Sequence, residues 1–277
     1  MRVRRACGPR LRAGTIEDVA ALTGEGEDCV MVHGGSTAVD ETLERLGEEP
    51  EYVETPRGVV GRFTDERTME TFAMVLPGKL NTDLTASLQA SGVDAVGLSG
   101  VDGGLLTGPR KSAVKVVEDG RTKIRRGEHS GTIESVNTDL LTGLLEEGYT
   151  PVVTVPMLAE DHTPVNADAD RAAAAVAGAL GARLVVLTDV RGVLADPDDP
   201  DTLIERAGTP DELARVASAA EGFMGKKVMA AREALDDGAA GVVVADANAD
   251  EPVRAALDGG GTHFTPAAIE AGAEGNA

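Results

Sequence analysis

The sequence predicts an α/β fold, a three-layer αβα sandwich built on an open, mainly parallel sheet. Short apolar runs of strand length alternate with helix-length amphipathic stretches along the whole chain. The runs at 150–155 and 184–188 are largely apolar, as strands buried on both faces are. Glycines or carboxylates follow the C-terminal ends of several strands, the rim where open α/β sheets bind ligands.

Residues 1–13 stand apart from the rest. They carry five arginines (Arg2, Arg4, Arg5, Arg10, Arg12), no acid and no apolar periodicity. They read as a disordered basic arm with no strand in it, or as the frameshifted translation of a different segment. From Gly14 onward the pattern is globular. A short helix at 15–22 has Thr15 as its cap, and 28–32 is a strand. His33-Gly-Gly-Ser36 makes a turn into a helix at 37–46. Strand, glycine turn and helix together can offer backbone amides to a phosphate, although a tight turn alone explains two glycines equally well.

A helix at 64–76 starts at Thr64 and is broken by Pro77-Gly78, and another begins at Asn81. A strand at 94–98 closes on Ser99-Gly100. Segments 113–117 and 122–126 alternate around Asp119-Gly120, which signals a hairpin. A helix at 137–147 ends at Gly148, and the strand 150–155 follows.

The stretch 163–194 is the densest in polar signals. Asp168 and Asp170 fall where a loop becomes an alanine-rich helix, and Asp189 lies just past the strand 184–188. Beyond the acidic loop 196–201 come a helix at 210–219, a loop-to-helix segment 221–235 with Lys226 and Lys227, and a strand at 240–245. A helix at 251–257 and a final edge strand at 262–264 end the order.

Composition excludes several classes. With 47 acidic residues against 26 basic ones the net charge is -21, which repels nucleic acid and anionic membrane. The acids are spread over loops and helix faces, as on a surface adapted to salt. No apolar run has transmembrane length and no apolar leader opens the chain, so a cytoplasmic location is expected. The cysteines Cys7 and Cys29 lack metal-like spacing.

Against that acidity, Arg110, Lys111, Lys115, Arg121, Lys123, Arg125 and Arg126 crowd seventeen residues of the hairpin. A charged edge can blunt strand pairing, but a local inversion of sign on so acidic a chain reads as an anion-recognition face.

Metal hydrolysis lacks ligands, because His33, His129, His162 and His263 are scattered and read as surface or capping residues. No Gly-x-Ser-x-Gly elbow supports a serine nucleophile, and no Gly-x-Gly-x-x-Gly supports hydride transfer. Phosphoryl transfer fits better, since it needs glycine amides, cations and an acid that orients them. The chain offers Gly34-Gly35, Ser99-Gly100, lysines at a helix start and Asp170, though no P-loop.

An ordered set of motifs resembles the amino acid kinase family, in its acetylglutamate kinase and carrier-dependent branches. They are Val32-His-Gly-Gly35, Gly61-Arg-Phe-Thr-Asp65, Gly78-Lys-Leu-Asn81, Gly97-Leu-Ser-Gly100, Asn166-Ala-Asp-Ala-Asp170, Leu187-Thr-Asp-Val190 with Gly192, and Met224-Gly-Lys-Lys-Val228. The resemblance implies one continuous sheet with a substrate lobe at 14–160 and a nucleotide lobe at 161–277. It also implies transfer of the ATP γ-phosphoryl group to a side-chain carboxylate, with Mg²⁺ arriving on the nucleotide.

Carried over by position, Gly34 and Gly35 would hold the phosphoryl group and Arg62 would clamp a substrate carboxylate. Asn166 would bind the substrate's amide part, Asp170 would organise the catalytic cations and Lys227 would meet the phosphates. Lys226, Thr188, Asp189 and Gly192 would line the nucleotide site. Ser36 stands where acetylglutamate kinases have a third glycine. The family's first strand ends Lys-x-Gly-Gly, and residues 1–13 hold no lysine, which implies weak catalysis in the chain as written.

Relatives in lysine and arginine biosynthesis act on an amino acid held by a small acidic carrier protein, LysW. The resemblance assigns Lys111, Lys115, Arg121, Lys123, Arg125 and Arg126 to docking it, and implies a homodimer or higher oligomer. Acetylglutamate kinase is the near alternative, and a non-catalytic nucleotide-binding regulator the more distant one.

Overall fold

The computed structural model describes residues 2–6, 13–56, 58, 60–118, 120–220 and 222–270, with backbone alone at 2–6 and 223. The strand β1 (Arg2–Ala6), the helix α1 (Ala13–Gly24), β2 (Cys29–His33) and α2 (Ser36–Arg45) come first. β3 (Tyr52–Glu54) and β4 (Val60–Arg62) pair as a small hairpin, followed by α3 (Glu66–Ala73), a π-helix (Met74–Asn81) and α4 (Thr82–Ala90). β5 (Ala95–Gly100) and β6 (Leu106–Gly108) precede a long hairpin, β7 (Arg110–Glu118) and β8 (Arg121–Gly131). β9 (Ser135–Val136), α5 (Thr138–Glu146), β10 (Thr150–Ala159) and β11 (Pro164–Val165) follow. Next are α6 (Ala169–Ala179), β12 (Arg183–Thr188), β13 (Arg206–Ala207), α7 (Pro210–Ala219) and α8 (Gly222–Asp236). β14 (Gly241–Asp246), α9 (Pro252–Leu257) and β15 (Thr262–Phe264) close the order.

One sheet runs unbroken in the order β13-β15-β14-β12-β1-β2-β10-β6-β9, with β5 and β11 also on β10. Its pairings are parallel except β10 with β11, β14 with β15 and β6 with β9. Side chains of successive strand residues enter opposite faces. Val30, Val32, Leu184 and Val186 therefore join one core, and Cys29, Met31, Val185 and Leu187 the other. Helices α1, α4 and α9 pack on the second face, while α6 and α8 pack together on the first. The three-layer αβα architecture is thus present. Among the described residues no helix is long and apolar enough to cross a membrane.

Five local expectations fail. Arg2–Ala6 is a strand at the centre of the sheet, parallel to both β2 and β12, where the sequence shows none. Backbone pairing with two neighbours needs no apolar side-chain pattern, so nothing in Arg-Val-Arg-Arg announces it. Thr15 lies buried inside α1 instead of capping it. The helix expected from Thr64 begins at Glu66, with Asp65 as its cap, the side chain accepting from Thr68 N at 2.8 Å.

Pro77 does not break the helix either. It sits within the π-helix, which joins α3 to α4 without a gap. The wider turn absorbs the residue whose missing N–H and ring would disrupt an α-helix. At the far side β15 is interior, between β13 and β14, so the edge strand is β13. Asp119 and residues 7–12 lie outside the described residues.

Candidate active site

The C-terminal ends of β2 and β12 face one rim, and the motif residues gather along it. β2 ends at His33, and Gly34-Gly35 turns directly into α2. Gly35 caps that helix with no side-chain acceptor, so its first N–H groups remain available to an anion. No hydrogen bond from the Gly35 N–H forms among the described residues. A methyl group at Gly35 would collide with Leu76 and Leu80 of the π-helix, so the turn needs glycine to pass them.

Arg62, at the end of β4, is held from several sides. Its Nη2 donates to Ser36 O at 3.1 Å, Ser36 Oγ at 2.9 Å and Tyr52 Oη at 3.0 Å. The same nitrogen lies 2.6 Å from Asp40 Oδ1, and Tyr52 Oη donates to Asp40 Oδ2 at 2.8 Å. Its guanidinium lies 5.2 Å from the Phe72 ring centroid. The side chain is only 5% exposed, yet Nε and Nη1 have no hydrogen-bond partner among the described residues. Buried orphan donors on a locked guanidinium leave hydrogen-bonding capacity for an acceptor.

Asn166 is stitched to the same neighbourhood by the long hairpin. Its N–H donates to His129 O at 2.8 Å, and its carbonyl accepts from Gly131 N at 2.8 Å. His129 N donates to Thr64 O at 2.7 Å, two residues beyond Arg62. The base of β8 thus fixes both segments that carry the predicted substrate ligands. Glu128, buried there at 5% exposure, accepts from Thr64 N at 3.4 Å. Burial pushes its pKa up, against hydrogen bonds from Ser130 and Thr64 and the nearby His129 and Lys111.

Asp168 caps α6, accepting from Asp170 N at 2.8 Å and Arg171 N at 3.2 Å. That leaves the Asp170 side chain to face α8, where Lys227 Nζ lies 3.7 Å from Asp170 Oδ1. Both are nearly dry, with side chains 9% and 10% exposed. The adjacent Lys226 instead lines an open cleft of about 670 Å³ with Gly58, Val60, Asp168, Gly225 and Met229. A lysine pair at consecutive positions thereby serves two directions, because neighbours on a helix point about 100° apart.

Thr188 and Asp189 stand at the end of β12. Thr188 O accepts from Ala247 N at 2.7 Å and Asp189 O from Asn248 Nδ2 at 3.3 Å. Gly192 is buried, and a methyl group there would press on Leu203 and Thr262, so it packs the loop. Beside this loop a second concavity of about 330 Å³ is bordered by Arg191, Glu205, Asp246 and Gly259 to Gly261.

The six proposed docking cations do not share a face. Arg125 pairs with Glu51 through both guanidinium nitrogens and lies 4.1 Å over Phe63. Burial opposes a raised Arg125 pKa, but the Glu51 hydrogen bond, its largest influence, wins. Lys123 donates to Glu118 at 2.9 Å. Cross-strand partners point the same way. Val114 with Arg125, Val116 with Lys123, and Glu118 with Arg121 therefore form one face, on which Val116 is buried. Ala113 with Arg126, Lys115 with Ile124, and Val117 with Thr122 form the other. On that outer face Ile124 is 67% exposed between Lys115 and Arg126.

Sequence reasoning assigned no role to Asp40, Tyr52, Glu128, His33 or Asn81. His33 is not at the surface; it is 3% exposed and bonded to the equally buried Asn81. Both belong to quoted motifs, but only the fold brings them together.

Known proteins are similar to this chain over most of its length. It is 44% identical over 252 residues to the [LysW]-aminoadipate kinase of Thermus thermophilus, covering 89% of this chain and 92% of that one. It is 43% identical over 231 residues to the acetylglutamate kinase of Methanopyrus kandleri, covering 83% and 89%. The solved carbamate kinase of Giardia lamblia, 16% identical, shares the fold with a TM-score of 0.64 over 95% of this chain and 98% of that one. The model of the amino acid kinase family matches residues 12–246. With its glycine turn, buried Asp170–Lys227 pair and parallel sheet, the chain belongs to the amino acid kinase family.

Proposed function

We propose that the chain transfers the γ-phosphoryl group of ATP to the side-chain carboxylate of aminoadipate or glutamate held on a small acidic carrier protein of the LysW kind. As a member of its family it is a phosphotransferase with a carboxyl group as acceptor. The observation that carries the carrier reading is the outer face of the β7–β8 hairpin. Lys115 and Arg126 flank exposed Ile124 there and form no ion pair among the described residues, on a chain of net charge -21. The other end of that hairpin holds the Arg62 and Asn166 segments, so a carrier docked on it would deliver its amino acid to them.

The residues present fit the nucleotide. Gly34 and Gly35 would hold the transferring phosphoryl group, and Asp170 would orient Lys227 toward the phosphates. Lys226 would enter from the cleft, and Thr188, Asp189 and Gly192 would line the nucleoside side. ATP supplies the phosphoryl group. Mg²⁺ would arrive on its phosphates. Arg62 would take the substrate carboxylate. Docking would rest on Lys115 and Arg126, while Arg125 and Lys123, on the opposite face with Arg121, hold the hairpin in place. A homo-oligomer is expected.

Purified protein with ATP should be offered carrier-linked aminoadipate, carrier-linked glutamate and free N-acetylglutamate. Preference for a carrier-linked acceptor is expected, with Lys115→Glu/Arg126→Glu raising its KM about tenfold and leaving the free acceptor unchanged. Equal use of free acetylglutamate, insensitive to that charge reversal, would make the chain an acetylglutamate kinase. ATP binding with no turnover of any acceptor would make it a regulator.

A further inference from the structure

A buried polar pair lies directly under the glycine turn. His33 and Asn81 are each 3% exposed. Asn81 Nδ2 lies 2.8 Å from Val152 O and 3.1 Å from His33 Nε2. Its Oδ1 accepts from Thr85 Oγ1 at 3.3 Å. A carbonyl can only accept, so the atom facing Val152 O is the amide nitrogen. That nitrogen has only protons to offer His33 Nε2, which must therefore be the unprotonated, accepting nitrogen. The ring proton then sits on Nδ1, which lies 2.9 Å from Gly34 O and donates to it. The partners thus select one neutral tautomer of His33.

That choice acts on the turn. A trans peptide is planar, with its C=O and the following N–H on opposite sides. Tethering Gly34 O to the His33 ring turns the Gly35 N–H away from the ring, toward the rim. Thr154 Oγ1 donates to His33 O at 3.0 Å and steadies the residue's own backbone.

The surroundings are shaped for Asn81. A methyl group at Gly97 would collide with its Oδ1. The π-helix that ends in Asn81 also supplies Leu76 and Leu80, which pack on Gly35. One element therefore holds the turn at two points, by packing and by a hydrogen-bond chain.

We infer that Asn81, acting through His33, is a positioning residue for phosphoryl transfer: it sets the Gly34–Gly35 peptide so that the Gly35 N–H faces the transferred group. The inference rests on the kinase reading above. Oriented amides of this kind act where charge develops, so misalignment shows in kcat more than in KM.

Two measurements test it. The ¹⁵N chemical shifts of histidine-labelled protein should show His33 protonated on Nδ1. Asparagine at position 33 places an amide nitrogen where Nδ1 was, and glutamine places one where Nε2 was. His33→Asn should therefore keep more kcat than His33→Gln. His33→Gln and Asn81→Leu should lose about tenfold to hundredfold in kcat, with both KM values within about twofold of wild type.

An Nε2-protonated ring would overturn the inference. So would His33→Gln matching His33→Asn, or losses that follow melting temperature alone. If Asn81→Leu fails to fold, the two His33 variants still decide. Wild-type protein that phosphorylates no acceptor would defeat the kinase reading and the catalytic role with it. The tautomer would still report whether the pair is built as described.

Discussion

Single residues at the site are fixed by what they are denied. Arg62 is denied water yet left with two donors unpaired among the described residues. Glu128 is denied water while its carboxylate keeps hydrogen bonds from Ser130 and Thr64 N. Its pKa is raised by burial, so the folded state disfavours its charged form. The stability linked to Glu128 is then fully present below the ordinary glutamate value of 4.5 and is lost as pH climbs through the raised one. Glu128→Gln keeps an acceptor and removes the charge. Its melting temperature relative to wild type should rise as pH increases above that ordinary value, then level off. A difference constant across that range would place Glu128 outside the dry region.

Elements owe their positions to partners far away in sequence. The N-terminus of α9 is capped by Asp18 of α1, which accepts from Val253 N at 2.6 Å and Arg254 N at 3.2 Å. Glu251, next to the helix, makes no side-chain cap. Asp18 is 2% exposed, so water cannot replace it. Asp18→Ala should cost about 1–2 kcal/mol in denaturant unfolding, with faster amide exchange at the start of α9. The β7–β8 hairpin shows the same dependence. Its cations were legible as a cluster, but the pairing register sends Arg125 inward to Glu51 and Phe63, and Arg126 outward.

The whole molecule carries its charge as a mean field. A net charge of -21 repels itself in the compact state, and the exposed ion pairs Arg67–Glu48 and Lys79–Asp83 offset little of that. Salt shortens the reach of this repulsion from roughly 30 Å at 0.01 M to about 3 Å at 1 M. The melting temperature should rise by a few degrees between those limits in calorimetry. A fall would mean that attractive pairs outweigh the repulsion.

By itself the sequence determined the fold class and the order of the longer helices and strands. Those properties are local: a strand's apolar run, a glycine turn, or two lysines at a helix start is written in adjacent residues. Pro210–Ala219 and Thr262–Phe264 have the bounds their residues predict, and Asp170 faces Lys227 as its motif suggests. Only the tertiary structure decided that Arg2–Ala6 is a central strand, that a π-helix carries the chain past Pro77, and that Arg125 is structural. It also joined His33 to Asn81, 48 residues apart. Each of these depends on which side of an element meets which neighbour. A shift of one residue on a strand reverses that, and the sequence carries no local mark of it.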